Sequence, residues 1–440
     1  MSEVRLVGTL DPNFAWDGAR LYEAQDFRVG SPVPRELRGA AVAVTREHDG
    51  GWRILRDPLG LNKLFWAESA EAILVAARPR KLVEAGCSFD DIRAIPRGCV
   101  LDFVPREPQP VEHSLRAEAW FSAHESAGPS VEQIAGQIEA TLRGYLTALA
   151  TRYHAAPVFV CLSGGLDSSG IAVLAREHFA DPVAVSFDLD RGRGAPSEDR
   201  RTAERLARDL GLAFLDVTVG EHALFEALDV VLVEGIDWRD FNVHAALVNA
   251  ALASAIARAA AAHARRSPVL VLTGDLANEF LVDYQPETYR DATYYDLPAL
   301  APSALRTSLV HGLDTCHREV GVFAAWGLHV VQPYAAAVDS YLALPETFLK
   351  LEDRKPRLSR AIFGTRLPEY VYRRTKVRAQ VGGPKSDGGV LAACADRGLD
   401  AVWLRRRFAE LHRVGDPSRL DRFIRAGRYR AAVPHRHGVN

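Results

Sequence analysis

One stretch of the sequence decides the fold: Ser163-Gly164-Gly165-Leu166-Asp167-Ser168-Ser169. It follows the apolar run PVFVCL at 157–162 and precedes the amphipathic segment GIAVLAR at 170–176. This order predicts a buried strand, a tight glycine turn and the start of a helix. Glycines let the backbone approach a ligand closely, and the first N–H groups of a helix have no partner within it. With three serine hydroxyls nearby, the turn is predicted to hold an anion, most naturally a chain of phosphates.

The turn differs from the other common phosphate-binding loop. No Gly-Lys-Ser/Thr follows at the spacing of a Walker motif. An ordinary serine- and glycine-rich connection between strand and helix would explain residues 163–165. It would leave Asp167 and the two serines after it unexplained, so we interpret the whole stretch as a phosphate site.

The composition is that of a globular protein with two or three domains. The chain has 440 residues, of which 48% are hydrophobic and 25% are charged. A formal net charge of −2 argues against a nucleic-acid partner, and no apolar run reaches the roughly 18 residues of a membrane span. The first residues, MSEVR, lack signal-peptide character, so we expect a cytoplasmic protein with reduced thiols. Its five cysteines are never spaced as CxxC: Cys87, Cys99, Cys161, Cys316 and Cys394.

The pattern of strands and helices divides the chain into two main parts. Residues 1–123 contain short strand-like runs separated by glycine and proline, typical of an antiparallel sheet layer. Residues 124–130 are predicted to be a linker that ends in a helix-capping box. Residues 131–427 alternate apolar strands with helices and become mainly helical, which predicts a doubly wound parallel sheet, an α/β fold that binds ligands at its carboxyl edge. A loosely held tail is expected at 428–440. The strands of the parallel sheet are predicted at 157–162, 182–187, 214–219 and 268–273.

Several short motifs occur along the chain in a fixed order. They are RDPLGL at 56–61, AIPRGCV at 94–100, SGGLDSS at 163–169, TGDLANE at 273–279, QPY at 332–334 and RTKV at 374–377. In this order they resemble the asparagine synthetase and β-lactam synthetase superfamily. The resemblance covers most of the sequence. It implies an N-terminal, β-rich, glutaminase-like layer followed by an ATP pyrophosphatase domain of the PP-loop type.

The N-terminal part departs from the glutamine-hydrolysing members of that family. They carry a cysteine nucleophile directly after the initiator methionine, where this chain has Ser2, and its first cysteine is Cys87. The RDPLG motif also comes early, so about half of the glutaminase layer is expected to be missing. Ser2 as a nucleophile is the alternative to an ordinary processed N-terminus. We predict no glutaminase activity and no glutamine hydrolysis in a Ser2→Cys variant.

The predicted metal site departs from the family as well. The resemblance implies ATP with Mg²⁺, which relatives hold with the aspartate of the pyrophosphate loop and the aspartate of the GxDE motif. Asp167 supplies the first ligand, but the second position is Asn278. An amide oxygen still binds a hard cation, with less charge. Glu279 or Asp275 are the alternative ligands.

The resemblance also implies roles for single residues. Lys376 is expected to neutralise charge on the α-phosphate and on the tetrahedral adduct, so its loss should cost ~10²–10³ in rate. Asp275 is expected to orient or deprotonate the amine, with Glu319 as its partner and Asp314 as the alternative partner. Helix capping is the competing explanation for Asp275 and for Glu198. The expected ATP-binding residues are Ser163, Gly164, Gly165, Leu166, Asp167, Ser168, Ser169, Ser186, Phe187 and Gly274, with Ser186 and Phe187 lining the adenine site.

These expectations predict an ATP-dependent, AMP-forming amide ligase of specialised metabolism. A substrate carboxylate is adenylated, and an amine held beside it then displaces AMP. The amine stays open: it is intramolecular, as in closure of a β-lactam or of a lasso-type peptide macrocycle, or a second small molecule, or ammonia. The rivals are an ammonia-dependent asparagine synthetase and an inactive nucleotide-binding scaffold. The expected partners are small-molecule carboxylates and amines, without nucleic acid or membrane, and a homodimer stays open.

Overall fold

The computed structural model describes residues 3–7, 14–16, 20–23, 42–46, 52–56, 59–61, 63–95, 97, 99–103, 110–114, 129–192, 196–261, 268–284, 286–289, 292–294, 297–312, 317–374 and 389–420. The strands there are β1 Glu3–Leu6, β2 Phe14–Trp16, β3 Arg20–Glu23, β4 Val42–Arg46, β5 Trp52–Arg56, β6 Phe65–Glu68, β7 Ala72–Ala76, β8 Arg93–Ala94, β9 Cys99–Phe103, β10 Val111–Ser114, β11 Val158–Cys161, β12 Val183–Asp190, β13 Ala213–Gly220, β14 Val269–Leu272, β15 Glu287–Tyr289, β16 Ala292–Tyr294 and β17 Leu328–Val331. The helices are α1 Pro79–Glu84, α2 Val131–Arg152, α3 Leu166–His178, α4 Glu198–Leu210, α5 Glu221–Phe225, α6 Leu228–Glu234, α7 Asp240–Ala261, α8 Ala277–Leu281, α9 Pro302–Gly312, α10 Val320–Ala324, α11 Val338–Leu342, α12 Glu346–Leu349, α13 Arg354–Phe363, α14 Glu369–Tyr372, α15 Gly389–Asp396 and α16 Ala401–Leu411.

The N-terminal strands form two sheets. One has six antiparallel strands in the order β10-β9-β5-β4-β3-β2. The other has four strands in the order β1-β7-β6-β8, and its β1–β7 pair is parallel. The predicted antiparallel character of this part is therefore confirmed, with one parallel pair at a sheet edge.

A buried arginine joins the two N-terminal motifs. Arg56, at the end of β5, is fully buried. Its guanidinium donates to the backbone carbonyls of Ile95 and Gly60, each at 2.6 Å. A buried guanidinium is tolerated only when its donors are paired. Arg56 therefore fixes the segment at 94–100 against its own motif at 56–61.

The second part is built on a five-stranded parallel sheet in the order β13-β12-β11-β14-β17. Side chains alternate between its two faces: Val158 and Val160 of β11 enter one core, and Phe159 enters the other. Both faces are covered, as solid apolar strand sequences require. The predicted doubly wound α/β fold is confirmed.

The capping box and four predicted strands are confirmed, whereas one strand was missed. Ser130 and Gln133 form the expected capping box at the start of α2. The predicted strands at 157–162, 182–187, 214–219 and 268–273 correspond to β11 to β14. The sequence did not predict β17, a four-residue strand in a region expected to be helical. Residues 124–128 of the predicted linker at 124–130, and the whole predicted tail at 428–440, lie outside the described residues.

One helix, α7, passes a length and composition test for a membrane span. Half of its apolar window is buried inside the protein. Val243, Leu247 and Ile256 of α7 belong to one of the two sheet cores, and core helices of globular proteins pass the same test. The helix is accounted for by packing against the sheet.

Candidate active site

The two motifs at 163–169 and 273–279 meet at the carboxyl edge of the parallel sheet. The first follows β11 and the second follows β14, which are hydrogen-bonded neighbours. From β11 the chain builds the sheet in one direction through β12 and β13, and with β14 it continues on the other side. Ligands of open α/β sheets bind at such a switch point.

Two glycines allow close packing around this loop, Gly164 against helix α4 and Gly274 against the start of α3. Gly164 has a φ of +73°, and a Cβ there would lie 2.6 Å from Cγ2 of Thr202. At Gly274 a Cβ would lie 2.6 Å from the backbone nitrogen of Ser168. Both distances are shorter than any real Cβ contact, so neither position accepts a side chain without movement of the loop.

Serine hydroxyls shape the loop from inside. Ser168 Oγ donates to the carbonyl of Gly165 at 3.2 Å and accepts from the Ser163 N–H at 3.2 Å. The Ser163 and Ser168 hydroxyl oxygens lie 3.1 Å apart. These bonds hold residues 163–168 as one turn at the start of α3.

The end of this turn has the properties of an anion site. Helix α3 begins at Leu166 without a side-chain cap, so the N–H groups of its first turn have no partner within the helix. Ser169 and Ser186 are buried, and their hydroxyls have no hydrogen-bond partner among the described residues. Unpaired buried polar groups are costly unless a ligand or solvent satisfies them. The loop therefore fits the phosphates of ATP.

Other predicted nucleotide-binding residues lie nearby or in the core. Ser186 is at the fourth position of β12, and Phe187 follows it. The Phe187 side chain is buried in the core on the same sheet face as Phe159. Leu166 packs against the opposite core. The predicted adenine-binding role of Ser186 and Phe187 stays a prediction.

The QPY segment also contacts the loop. Tyr334 is buried, and its hydroxyl donates to the backbone carbonyl of Asp167 at 3.1 Å. A Cβ at Gly170 would lie 2.4 Å from the ring of Phe363 and 2.9 Å from the Tyr334 hydroxyl. The first turns of α3 are therefore packed tightly against two aromatic side chains.

A lysine that sequence reasoning missed lies between the two predicted metal ligands. The Lys355 ammonium donates to Oδ2 of Asp167 and to Oδ1 of Asn278, each at 2.5 Å. It also lies 3.2 Å from Oδ2 of Asp283. Burial alone would lower the pKa of Lys355, but the ion pairs with both aspartates outweigh it and raise the pKa above its usual value. We call Asp167, Asn278, Asp283 and Lys355 the lysine cluster.

The lysine cluster does not fit a metal ion between Asp167 and Asn278. Both oxygens already accept hydrogen bonds from an ammonium, and a cation bound there would face its charge. Glu279, one alternative ligand, accepts a hydrogen bond from the Tyr284 hydroxyl at 2.5 Å. Among the described residues no group of three acidic, histidine or cysteine side chains is arranged to hold a metal.

Arg374, from the RTKV motif, also binds the loop. It donates to the backbone carbonyl of Ser163 at 2.9 Å and forms an ion pair with Asp199. The side chains of Arg374 and Asp199 are only 7% and 6% exposed. Burial raises the pKa of Asp199 to about 6, although Arg374 acts in the opposite direction.

Three further predicted residues are Glu198, Lys376 and Ser2, and the structure describes only the first of them. Glu198 is the first residue of α4 and lies 3.5 Å from Nε of Arg374. The cap of α4 is Ser197, which accepts from the N–H of Arg200, so Glu198 is not the cap. Lys376 and Ser2 lie outside the described residues, and their roles stay predictions.

The pKa of Asp275 is shifted towards neutrality, which suits this residue for proton transfer. It is half-buried, and burial together with the negative charge of Glu319 raises its pKa to about 7. Helix α8 begins after Leu276, which provides no side-chain cap. Asp275 is therefore not the N-cap of α8, and the competing explanation for this residue is wrong. A carboxyl group with a pKa near neutrality is suited to accept and return a proton.

A chain of hydrogen bonds holds Glu319 in place. Arg318 donates to Glu319 at 2.5 Å and to Oδ1 of Asn242 at 2.8 Å. The Asn242 amide donates to Asp237 at 2.6 Å, and Asp237 pairs with Arg239. The alternative partner of Asp275, residue 314, lies outside the described residues.

Comparisons with solved structures give distant likenesses. The NMN synthetase from Francisella tularensis is 13% identical, with a TM-score of 0.31, over 63% of this chain and 93% of that chain. The NH3-dependent NAD synthetase from Campylobacter jejuni is 18% identical, with a TM-score of 0.24, over 34% of this chain and 61% of that one. The glutamine-dependent NAD+ synthetase from Acinetobacter baumannii is 18% identical, with a TM-score of 0.25, over 44% of this chain and 34% of that one. Likenesses of this size support no conclusion about function.

A family model matches part of the chain. No curated protein matches the chain significantly. The model of the asparagine synthase family matches residues 147–313, a range that contains both motifs at the carboxyl edge of the sheet. The family contains ATP-using ligases that form C–N bonds. This match confirms the resemblance seen in the motifs for residues 147–313, which are similar to the asparagine synthase family.

Proposed function

We propose that the protein is an ATP-dependent amide ligase that releases AMP and pyrophosphate. One observation carries the proposal: the anion-binding turn at 163–169 and Asp275, with a pKa of about 7, lie at the same edge of one sheet. The turn supplies backbone N–H groups and hydroxyls for a triphosphate. Asp275 supplies a proton acceptor beside it.

The first proposed step activates a carboxylate. A carboxylate oxygen of the substrate attacks the α-phosphorus of ATP and forms a new P–O bond. The bond between the α-phosphorus and the bridging oxygen breaks, and pyrophosphate leaves with that electron pair. Loop 163–169 holds the departing phosphates through preorganised donors, the kind of stabilisation that usually contributes most to such steps.

The second proposed step forms the amide. The amine attacks the carbonyl carbon of the acyl-adenylate, a proton passes from its nitrogen to Asp275, and AMP leaves. Glu319 keeps the pKa of Asp275 high by repulsion, and Arg318 keeps Glu319 in place. Because Asp275 accepts the proton only when ionised, amide formation should rise with pH through about 7.

The two steps can be tested separately. We expect exchange of labelled pyrophosphate into ATP with the correct carboxylate, and amide product only when an amine is added. Ammonium, a small primary amine and a substrate with its own amine distinguish the three possible amine sources. Asp275→Asn should keep the exchange and lose the amide, whereas Asp181→Asn, at an exposed position, should keep both. Release of ADP, or equal loss of both reactions in Asp275→Asn, would contradict the proposal.

One observation favours a second candidate, a nucleotide-binding protein without catalysis. Lys355 already neutralises the loop aspartate, Asp167. Such a protein would bind ATP and leave it intact with every carboxylate. Turnover of ATP to AMP in the exchange assay excludes this candidate.

A further inference from the structure

The lysine cluster lies where the resemblance predicts a metal ion. We propose that Lys355 is the resident cation of this site and takes the place of a metal ion between Asp167 and Asn278. The inference concerns the same site as the proposed ligase activity, but it makes a claim about cation binding that holds with or without turnover.

The first argument is the match of donors and acceptors. An ammonium has three N–H donors and no acceptor. Lys355 has three oxygen neighbours, on Asp167 and Asn278 at 2.5 Å and on Asp283 at 3.2 Å. Its side chain is only 7% exposed, so solvent competes little for these donors. Each of the three N–H donors of the ammonium therefore has an oxygen neighbour within the lysine cluster.

The second argument is charge. The cluster contains two carboxylates, one amide and one ammonium, so the lysine offsets one of the two negative charges. An aspartate at position 278 would add a third carboxylate around a single positive charge. The asparagine is thus matched to a monovalent cation, whereas divalent ions favour sites with more carboxylate ligands.

The third argument is rigidity. Lys355 is the second residue of α13, and the residue before it anchors the start of that helix. The Arg354 guanidinium donates to the carbonyls of Leu281 at 2.7 Å and Val282 at 2.5 Å. These carbonyls belong to the end of α8 and the residue after it, and α8 also carries Asn278. The backbone that supplies the cation is therefore fastened to the backbone that supplies its acceptor.

The proposal is tested with Mn²⁺ alone, added to the full-length protein without nucleotide and followed by the loss of the free-ion electron paramagnetic resonance signal. In the wild type we expect no Mn²⁺ site at the lysine cluster, so Asp167→Asn should leave Mn²⁺ binding unchanged. The double variant Asn278→Asp with Lys355→Met leaves three carboxylates, at positions 167, 278 and 283, without the ammonium. It should gain one such site, with affinity at least about tenfold above any binding by the wild type. Lys350→Met, which removes an exposed lysine near the same helix, should behave as the wild type does.

Each result decides the matter. A wild-type Mn²⁺ site that Asp167→Asn abolishes would overturn the proposal, as would a folded double variant that gains no site. If the double variant does not fold, the comparison of wild type with Asp167→Asn decides alone. Failure of pyrophosphate exchange with the expected Mn²⁺ result would refute only the ligase activity. Normal exchange with a wild-type Mn²⁺ site would refute only the role of Lys355.

Discussion

Replacing Asp275 with asparagine should make the folded protein more stable at neutral and alkaline pH. The pKa of Asp275 rises from an ordinary 3.8 to about 7. This difference of about three pH units corresponds to about 4 kcal/mol, at about 1.4 kcal/mol for each unit. A carboxyl group whose pKa rises on folding stabilises the fold below its unfolded pKa, and this contribution is lost as pH rises through the folded pKa. The wild type should therefore lose it between about pH 4 and about pH 7.

Chemical denaturation at several pH values measures this effect. The asparagine variant does not titrate, so its advantage in free energy of unfolding should grow by about 2–3 kcal/mol between about pH 5 and about pH 8. Glu319→Gln, which removes the second cause of the raised pKa, should shift the titration to lower pH. Asp181→Asn, at an exposed position, serves as the control and should show no such growth. A constant difference between wild type and Asp275→Asn across this range would refute the reasoning.

Three other changes have definite expected outcomes. Arg374→Ala leaves the buried Asp199 without its partner and should lower the free energy of unfolding by about 3–5 kcal/mol. The double variant Arg374→Met with Asp199→Asn should recover more than half of this lost stability. A loss below about 1 kcal/mol in Arg374→Ala would contradict the prediction. Gly274→Ala should weaken ATP binding in calorimetry, because its Cβ would lie 2.6 Å from the Ser168 nitrogen, and unchanged affinity would contradict the predicted contact. The control Gly144→Ala, in an open position of α2, should stabilise the protein by about 0.5–1 kcal/mol. Lys376→Ala should keep ATP binding and abolish product, and unchanged turnover would remove its proposed role.

The parts of the fold that follow from local patterns could be predicted from the sequence. Strands β11 to β14 are continuous apolar runs, and the turn after β11 carries paired glycines, so periodicity and turn residues located them. Strand β17 is as long as β11 and β14, but its sequence LHVV is interrupted by His329 and lies in a region that is otherwise mainly helical. Continuous apolar runs bounded by turn residues could be recognised as strands, and this one could not.

The contacts that build the candidate site could not be predicted, because they join distant positions. Lys355 is 188 residues from Asp167 and 77 from Asn278. Arg374 is 175 residues from Asp199. One signal for Lys355 was present: among 54 basic residues the chain has only six lysines, at 63, 81, 350, 355, 376 and 385. A lysine in so arginine-rich a chain indicates a place where a compact point charge fits and a planar guanidinium does not.

The central claim is that loop 163–169 binds ATP for cleavage between its α and β phosphates. The most direct test incubates the wild-type protein with ATP labelled at the α-phosphorus, a set of candidate carboxylates and an amine, and separates the labelled products by chromatography. The account predicts that the label appears in AMP, in amounts equal to the pyrophosphate released. Label that accumulates in ADP would contradict it.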